Sequence, residues 1–74
     1  MDALSPRQRQ VLEGIARGRT TKEIAYALGI RERTVKWHIS RVIRNLGANS
    51  RSEAIAIAFE QGLLRDLHGV ERDS

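Results

Sequence analysis

The sequence predicts an all-α fold of four helices, in which the second and third helices form a helix-turn-helix. Apolar residues recur at helical spacing along most of the 74 residues, and no segment alternates apolar and polar residues as a strand would. Three Ser/Thr-x-x-Glu/Gln patterns, typical of capping boxes, precede apolar stripes. A glycine, which tolerates the positive φ at which many helices end, follows each stripe. These glycines are Gly18, Gly29, Gly47 and Gly62.

The first helix is predicted to begin after Ser5. Ser5 and Gln8 have the spacing of a capping box, and Pro6 occupies the first helical position, where a missing N–H costs little. The residues before this cap, 1–3, are expected to be loose. The buried stripe of the helix is predicted to consist of Val11, Leu12, Ile15 and Ala16.

The helix-turn-helix is predicted within residues 20–46. Thr20 and Glu23 have the spacing of the second capping box, and Gly29 permits the sharp turn between the two helices. Arg31 occupies the N-cap of the third helix, where Ser, Thr, Asp or Asn is usual. The apolar faces are formed by Ile24, Ala25 and Leu28, and by Val35, Ile39, Val42 and Leu46. In this motif the second helix enters the major groove of DNA.

The net charge of +4 lies on the second helix of this motif. Residues 31–44 carry five basic side chains against Glu32 alone, and the rest of the chain is balanced. A helical wheel places most of the basic side chains opposite the stripe of Val35. An ordinary solvated surface is the alternative, but a basic face opposite a packed face is typical of a helix that binds duplex DNA.

The fourth helix is apolar on more than one side. Ser50 and Glu53 have the spacing of the third capping box. One stripe, expected to face the domain's own core, contains Ala54, Ile55, Ala58 and Phe59. A second stripe is predicted as the interface of a homodimer, because a surface helix needs only one apolar stripe; it contains Ile57, Gln61 and Leu64. Residues 65–74 are polar and predict a flexible C-terminal tail.

No catalytic, metal or cofactor site is predicted, and the chain is not expected to be an enzyme. The chain has no Cys, and His38 and His68 stand apart from each other and from any group of carboxylates. We expect His38 to be a hydrogen-bonded structural histidine. The N-terminus has no apolar leader and no segment reaches the length of a membrane span, so a soluble, cytoplasmic protein is expected.

The order and spacing of several motifs resemble those of the LuxR/GerE/NarL-type DNA-binding domain over residues 4–64. The motifs are LSPRQRQVL, TTKEIA, LGI, TVKWH, NLG and RSEA. The resemblance implies a four-helix domain that binds double-stranded DNA and dimerises through its fourth helix, with RNA polymerase as a further candidate partner. We expect a stand-alone domain of the GerE kind, with an excised C-terminal fragment as the alternative.

The resemblance also implies roles for individual residues. Those matching base-reading positions are Lys36, Trp37 and Ser40; those matching phosphate-contacting positions are Thr20, Thr21, Lys22, Arg33, Thr34, Arg41 and Arg44. Three departures stand out: Gln8 replaces the Glu usual in the first helix, Arg31 replaces a Ser, and bulky Trp37 is followed by short Ser40 on the reading face.

The function predicted is therefore sequence-specific binding of an inverted repeat in duplex DNA by a dimeric bacterial transcriptional regulator. The alternatives are a helical protein-interaction module and a nonspecific DNA binder. Trp37 is predicted to be exposed and to contact a thymine methyl group or a sugar, with packing against a loop as the alternative. For Tyr26, packing and a position on the DNA face both stay open.

Overall fold

Residues 4–64 are described by a computed structural model and fold into four α-helices. These are α1 (Pro6–Ala16), α2 (Thr21–Leu28), α3 (Glu32–Asn45) and α4 (Arg51–Glu60). The all-α prediction is confirmed. Within residues 4–64 no helix is long and apolar enough to cross a membrane. The predictions of loose residues at 1–3 and of a flexible tail at 65–74, which contains His68, lie outside the described residues.

Two of the three predicted capping boxes are complete. The Ser5 hydroxyl accepts from the Gln8 amide while the Gln8 side chain accepts from the Ser5 amide, and Thr20 and Glu23 are paired in the same way. At α4 the Ser50 hydroxyl accepts from the Glu53 amide, as predicted. The Glu53 carboxylate, however, accepts from the amide of Asn49 at 2.6 Å, one residue before the predicted partner.

All four helices end with the same arrangement of backbone hydrogen bonds. At the end of α2, the Ile30 amide donates to the Ala25 carbonyl and the Gly29 amide donates to the Tyr26 carbonyl. This Schellman motif requires the left-handed conformation that Gly29 adopts at φ +70°. The other three helices repeat it at Gly18, Gly47 and Gly62. The predicted helix ends are therefore confirmed.

The core consists of two clusters on either side of α3. One joins α1, α3 and α4 and contains Leu4, Leu12, Val42, Ala54, Ala58 and Leu64. The other joins α1, α2 and α3 and contains Val11, Ile24, Ala25, Val35 and Ile39. Ile43 packs against both clusters, so α3 is held from both sides. Its opposite face is left for solvent.

The approach of α1 to α2 depends on Gly14. A Cβ atom at this position would lie 2.8 Å from Cγ1 of Ile24, closer than packed carbon atoms come. Ile24 is itself buried, so its side chain has little room to move away. The absence of a side chain at Gly14 therefore sets how closely the helix-turn-helix packs on the first helix.

The prediction that Leu64 belongs to an exposed second stripe of α4 is wrong. Leu64 is 0% exposed and lies in the core cluster with Leu12 and Ala58. The predicted stripe extended the helical period past Gly62, but α4 ends at Glu60. The left-handed Gly62 turns the chain, and the following residues fold back over the helix end. Leu64 therefore closes the core and is removed from the candidate dimer interface.

Candidate nucleic-acid interface

The solvent face of α3 carries all three residues predicted to read bases and three of those predicted to contact phosphate. Val35, Ile39 and Val42 are buried, so the opposite side of this 14-residue helix points to solvent. The exposed side chains on it are Lys36, Trp37, Ser40, Arg33, Arg41 and Arg44. Thr34 lies at the edge and is half-buried. The result is a basic ridge with one aromatic ring near its middle.

The start of α2 lies beside the start of α3. The Thr21 hydroxyl donates a hydrogen bond of 2.6 Å to the Glu32 carboxylate, which joins the first residues of the two helices. Thr20 and Lys22 flank Thr21 and are exposed. The positive end of the α2 dipole thus adjoins the basic ridge, as an anion-binding surface requires.

The Thr21–Glu32 bond changes how Thr21 could contact a phosphate. A phosphate oxygen accepts hydrogen bonds, and the only hydroxyl proton of Thr21 is already donated to Glu32. The backbone amides of Thr21 and Lys22 have no acceptor within residues 4–64. A phosphate at this helix end would therefore be bound by these amides and by the Lys22 ammonium group.

Trp37 is exposed, as predicted, and forms a cluster with two neighbours. It keeps 54% of its surface accessible. The guanidinium carbon of Arg41, one helical turn later, lies 5.3 Å from the centroid of the indole ring. The His38 ring meets the indole edge-on, with 5.1 Å between centroids and 69° between planes. The loop-packing alternative is thus replaced by contacts within α3.

His38 departs from the expected hydrogen-bonded histidine. Its Nδ1 atom is buried and has no hydrogen-bond partner within residues 4–64. Burial lowers the pKa of His38 below its usual value of about 6.5, and the nearby charge of Arg7 lowers it further. The neutral imidazole is therefore favoured, and its ring packs edge-on against Trp37.

Two features of the site had no clear sequence signal. Tyr26 is 90% exposed and lies one turn after Lys22 on α2, a spacing that puts both on one face of the helix. Gln8, only 8% exposed, accepts from Asn45 at 3.4 Å and so ties α1 to the end of α3. Its neutral amide makes this link at the position where the resemblance implies a Glu.

The surface of α4 away from the core retains part of the predicted dimer stripe. Gln61 is exposed, and Ile57 is half-buried and belongs to neither core cluster. Ile55 and Phe59 pack against the first cluster, as predicted for the core-facing stripe. An apolar side chain thus remains on the outer face of α4, on the same helix as the core-facing stripe.

Comparison with known proteins identifies the family. Residues 2–58 match the family of bacterial regulatory proteins described as the luxR family. The chain is 50% identical over 54 residues to the transcriptional regulatory protein YdfI of Bacillus subtilis, covering 73% of this chain but 25% of YdfI. It is 43% identical over 61 residues to the spore germination protein GerE of Bacillus subtilis, covering 82% of both proteins.

The fold agrees with a solved structure of the transcription factor GerE. The TM-score is 0.82 at 36% identity, covering 85% of this chain and 94% of that one. The matching family and relatives are regulatory proteins, which confirms the prediction that the chain is not an enzyme. The motif spacing, the four helices and the exposed basic α3 agree with this match. The chain therefore belongs to the luxR family of bacterial regulatory proteins, as a helix-turn-helix domain.

Proposed function

We propose that this chain binds a specific duplex DNA sequence through α3 and regulates transcription as a dimer on an inverted repeat. The observation that carries the proposal is the basic ridge of α3, whose opposite face is buried. Family membership supports DNA as the partner. Phosphate contacts would set the position of the domain on the duplex, and Lys36, Trp37 and Ser40 would read base edges.

The dimer is proposed to form through α4, with Ile57 near the two-fold axis and Gln61 beside it. Ile57 is the largest apolar side chain of α4 that belongs to neither core cluster. At about 25 cal/mol per Å² of apolar area, covering it in two subunits favours association but competes with a larger entropic cost. The free chain is therefore expected to be partly monomeric and to dimerise on DNA.

The proposal is tested by titrating the full chain into a duplex selected from a random pool, at two salt concentrations. Lys36→Ala should cost about 1–3 kcal/mol on the selected duplex and relax its preference at one base position. Arg44→Ala should weaken selected and random duplexes alike and reduce the log–log salt slope by about 1, because it removes one phosphate contact.

Arg17→Ala is the matched control. Arg17 is an exposed arginine at the end of α1, outside the basic ridge, so its loss removes the same charge from a different face. Its effect should be much smaller than that of Arg44→Ala. Equal effects of the two arginine variants would reject α3 as the DNA-binding element, and equal affinity for selected and random duplexes would leave a nonspecific binder.

A further inference from the structure

Trp37 and Arg41 form one stacked unit on the solvent face of α3. The 5.3 Å between the guanidinium carbon and the indole centroid places the cation over the ring. A cation–π contact of this kind uses the positive charge and occupies none of the guanidinium N–H donors with an acceptor. Within residues 4–64 Arg41 makes no hydrogen bond or ion pair that would occupy those donors. The unit therefore presents an apolar ring beside unused, planar donors.

The indole is held before any ligand arrives. Arg41 contacts it from one helical turn away, and the His38 ring packs against it edge-on. Both contacts come from the same helix as Trp37, so they do not depend on a loop or on the dimer. A side chain fixed in this way loses little conformational entropy when it binds, which favours a reading role over a loose surface role.

The chemistry of the two side chains matches two neighbouring base edges in the major groove. An apolar ring suits the C5 methyl group of thymine, and a planar guanidinium suits the O6 and N7 acceptors of guanine, which it can bind with two hydrogen bonds. The separation of 5.3 Å falls between one and two base-pair rises of about 3.4 Å. The pair can therefore span two adjacent base pairs.

We propose that Trp37 and Arg41 together recognise a thymine adjacent to a guanine in each half-site. This inference rests on the proposed function and refines it, because it moves Arg41 from the phosphate-contacting residues to the base-reading ones. Sequence preference then depends on this pair as well as on Lys36. Each side chain of the pair is positioned in part by its contact with the other.

The test uses the full chain and a duplex selected from a random pool. Each thymine of the selected site is replaced in turn by uracil, which removes only the C5 methyl group. One position in each half-site should lose about fourfold in affinity, the value of one buried methyl group. Replacing the adjacent guanine by 7-deazaguanine removes the N7 acceptor and should also weaken binding. The uracil effect should vanish in Trp37→Ala, and the 7-deazaguanine effect in Arg41→Ala.

Arg41→Lys is the decisive variant, because it keeps the positive charge and loses the planar fork. It should lower affinity for the selected duplex by about fivefold or more, with little change on a random duplex and an unchanged salt slope. Arg44→Ala is the matched phosphate control and should weaken both duplexes equally. In the free protein Arg41→Ala should also change the fluorescence of Trp37, the single Trp of the chain.

The contrary outcomes are distinct. If Arg41→Lys is harmless while Arg41→Ala weakens selected and random duplexes equally and lowers the salt slope by about 1, Arg41 contacts phosphate and the inference is wrong. If no uracil substitution changes the affinity of the wild-type protein, Trp37 does not recognise a thymine methyl group and the inference is wrong. If selection enriches no sequence at all, the proposed function itself fails, and the inference with it.

Discussion

Trp37 illustrates how the face of a helix, rather than residue type, decides the role of a side chain. Tryptophan buries more apolar area than the aliphatic residues and usually packs inside a protein. On α3, however, the buried face is already filled by Val35, Ile39 and Val42. Trp37 points away from them, and its contacts come from Arg41 and His38 on the same helix.

Trp37→Ala is accordingly expected to cost little stability. Truncating a core Trp typically costs about 3–5 kcal/mol, whereas this ring is 54% exposed and should cost less than about 1 kcal/mol. Urea unfolding followed by circular dichroism measures the difference, and Val35→Ala serves as the core control. A loss of 3 kcal/mol or more for Trp37→Ala would mean that the ring supports the fold.

His38 makes the stability of the domain depend on pH. Its folded pKa lies below the unfolded value of about 6.5, because burial and Arg7 disfavour the imidazolium ion. Between those two pKa values the unfolded chain binds more protons than the folded one. The contribution of the neutral His38 to the free energy of unfolding is therefore complete above about pH 6.5. It is lost as pH falls through the folded pKa.

We expect the free energy of unfolding to fall between pH 7 and pH 5 in the wild type, and to fall less in His38→Gln. The carboxylates and His68 are present in both proteins, so the comparison cancels their contributions to the pH dependence of unfolding. Urea titrations at several pH values measure it. Identical pH profiles for the two proteins would show that the imidazole is equally easy to protonate in the folded and unfolded chains.

At the scale of elements, local chemistry was sufficient to predict where the helices begin and end. Ser5, Thr20 and Ser50 cap helices because their hydroxyls accept from amides three residues later, an interaction that depends only on nearby sequence. The glycine at each end acts equally locally. Leu64 was misplaced because helical periodicity carries no information past a left-handed glycine. Its burial depends on a core cluster that includes residues as distant in sequence as Leu12.

Leu64 and Ile57 provide a matched test of that correction. Leu64→Ala should destabilise the domain by about 2–5 kcal/mol, because it opens a cavity in a core cluster. Ile57→Ala, a truncation of similar size, should cost clearly less in the monomer, because Ile57 is only half-buried and belongs to neither cluster. Thermal or urea unfolding at low protein concentration distinguishes the two variants. A larger loss for Ile57→Ala than for Leu64→Ala would contradict the correction and return Leu64 to an exposed stripe of α4.

The candidate site was predictable to the extent that it lies on a single helix. The spacing of α3 was enough to place Lys36, Trp37 and Ser40 on one exposed face. The Thr21–Glu32 bond spans 11 residues and two helices, and no periodic pattern indicates it. The same is true of the contact between Gly14 and Ile24, which depends on how α1 and α2 pack.

On the scale of the whole molecule, the two proposed surfaces lie on different helices of the domain. The basic ridge of α3 is proposed to face DNA, and the outer side of α4 is proposed to face a second copy. Ile57 lies on α4, outside the basic ridge of α3, so replacing it is expected to leave the DNA-facing surface unchanged. The two functions should therefore be separable by mutation.

Ile57→Glu is expected to leave the monomer folded and to abolish cooperative binding to an inverted repeat whose half-sites lie about 10 bp apart. Two subunits would each bring a charge to the apolar axis, which is costly without a partner. Ser52→Glu adds the same charge at the exposed start of α4 and should keep cooperativity. Circular dichroism reports the fold, and titration of one-site and two-site duplexes reports cooperativity.

Two results would contradict this arrangement. An unfolded Ile57→Glu monomer would place Ile57 in the core. A folded variant that still binds two sites cooperatively would mean that the copies meet through another surface.

Ile43, which packs against both core clusters, has a consequence for the geometry of the operator. Because it joins the α2 side of the core to the α4 side, α3 cannot swing relative to α4 without repacking both. In the proposed dimer the two α3 helices would then keep a fixed distance and orientation relative to each other. One base pair inserted between half-sites turns one of them by about 35° around the duplex axis, and a rigid protein cannot follow. Selectivity for spacing would thus come from the packing of an apolar side chain that never touches DNA.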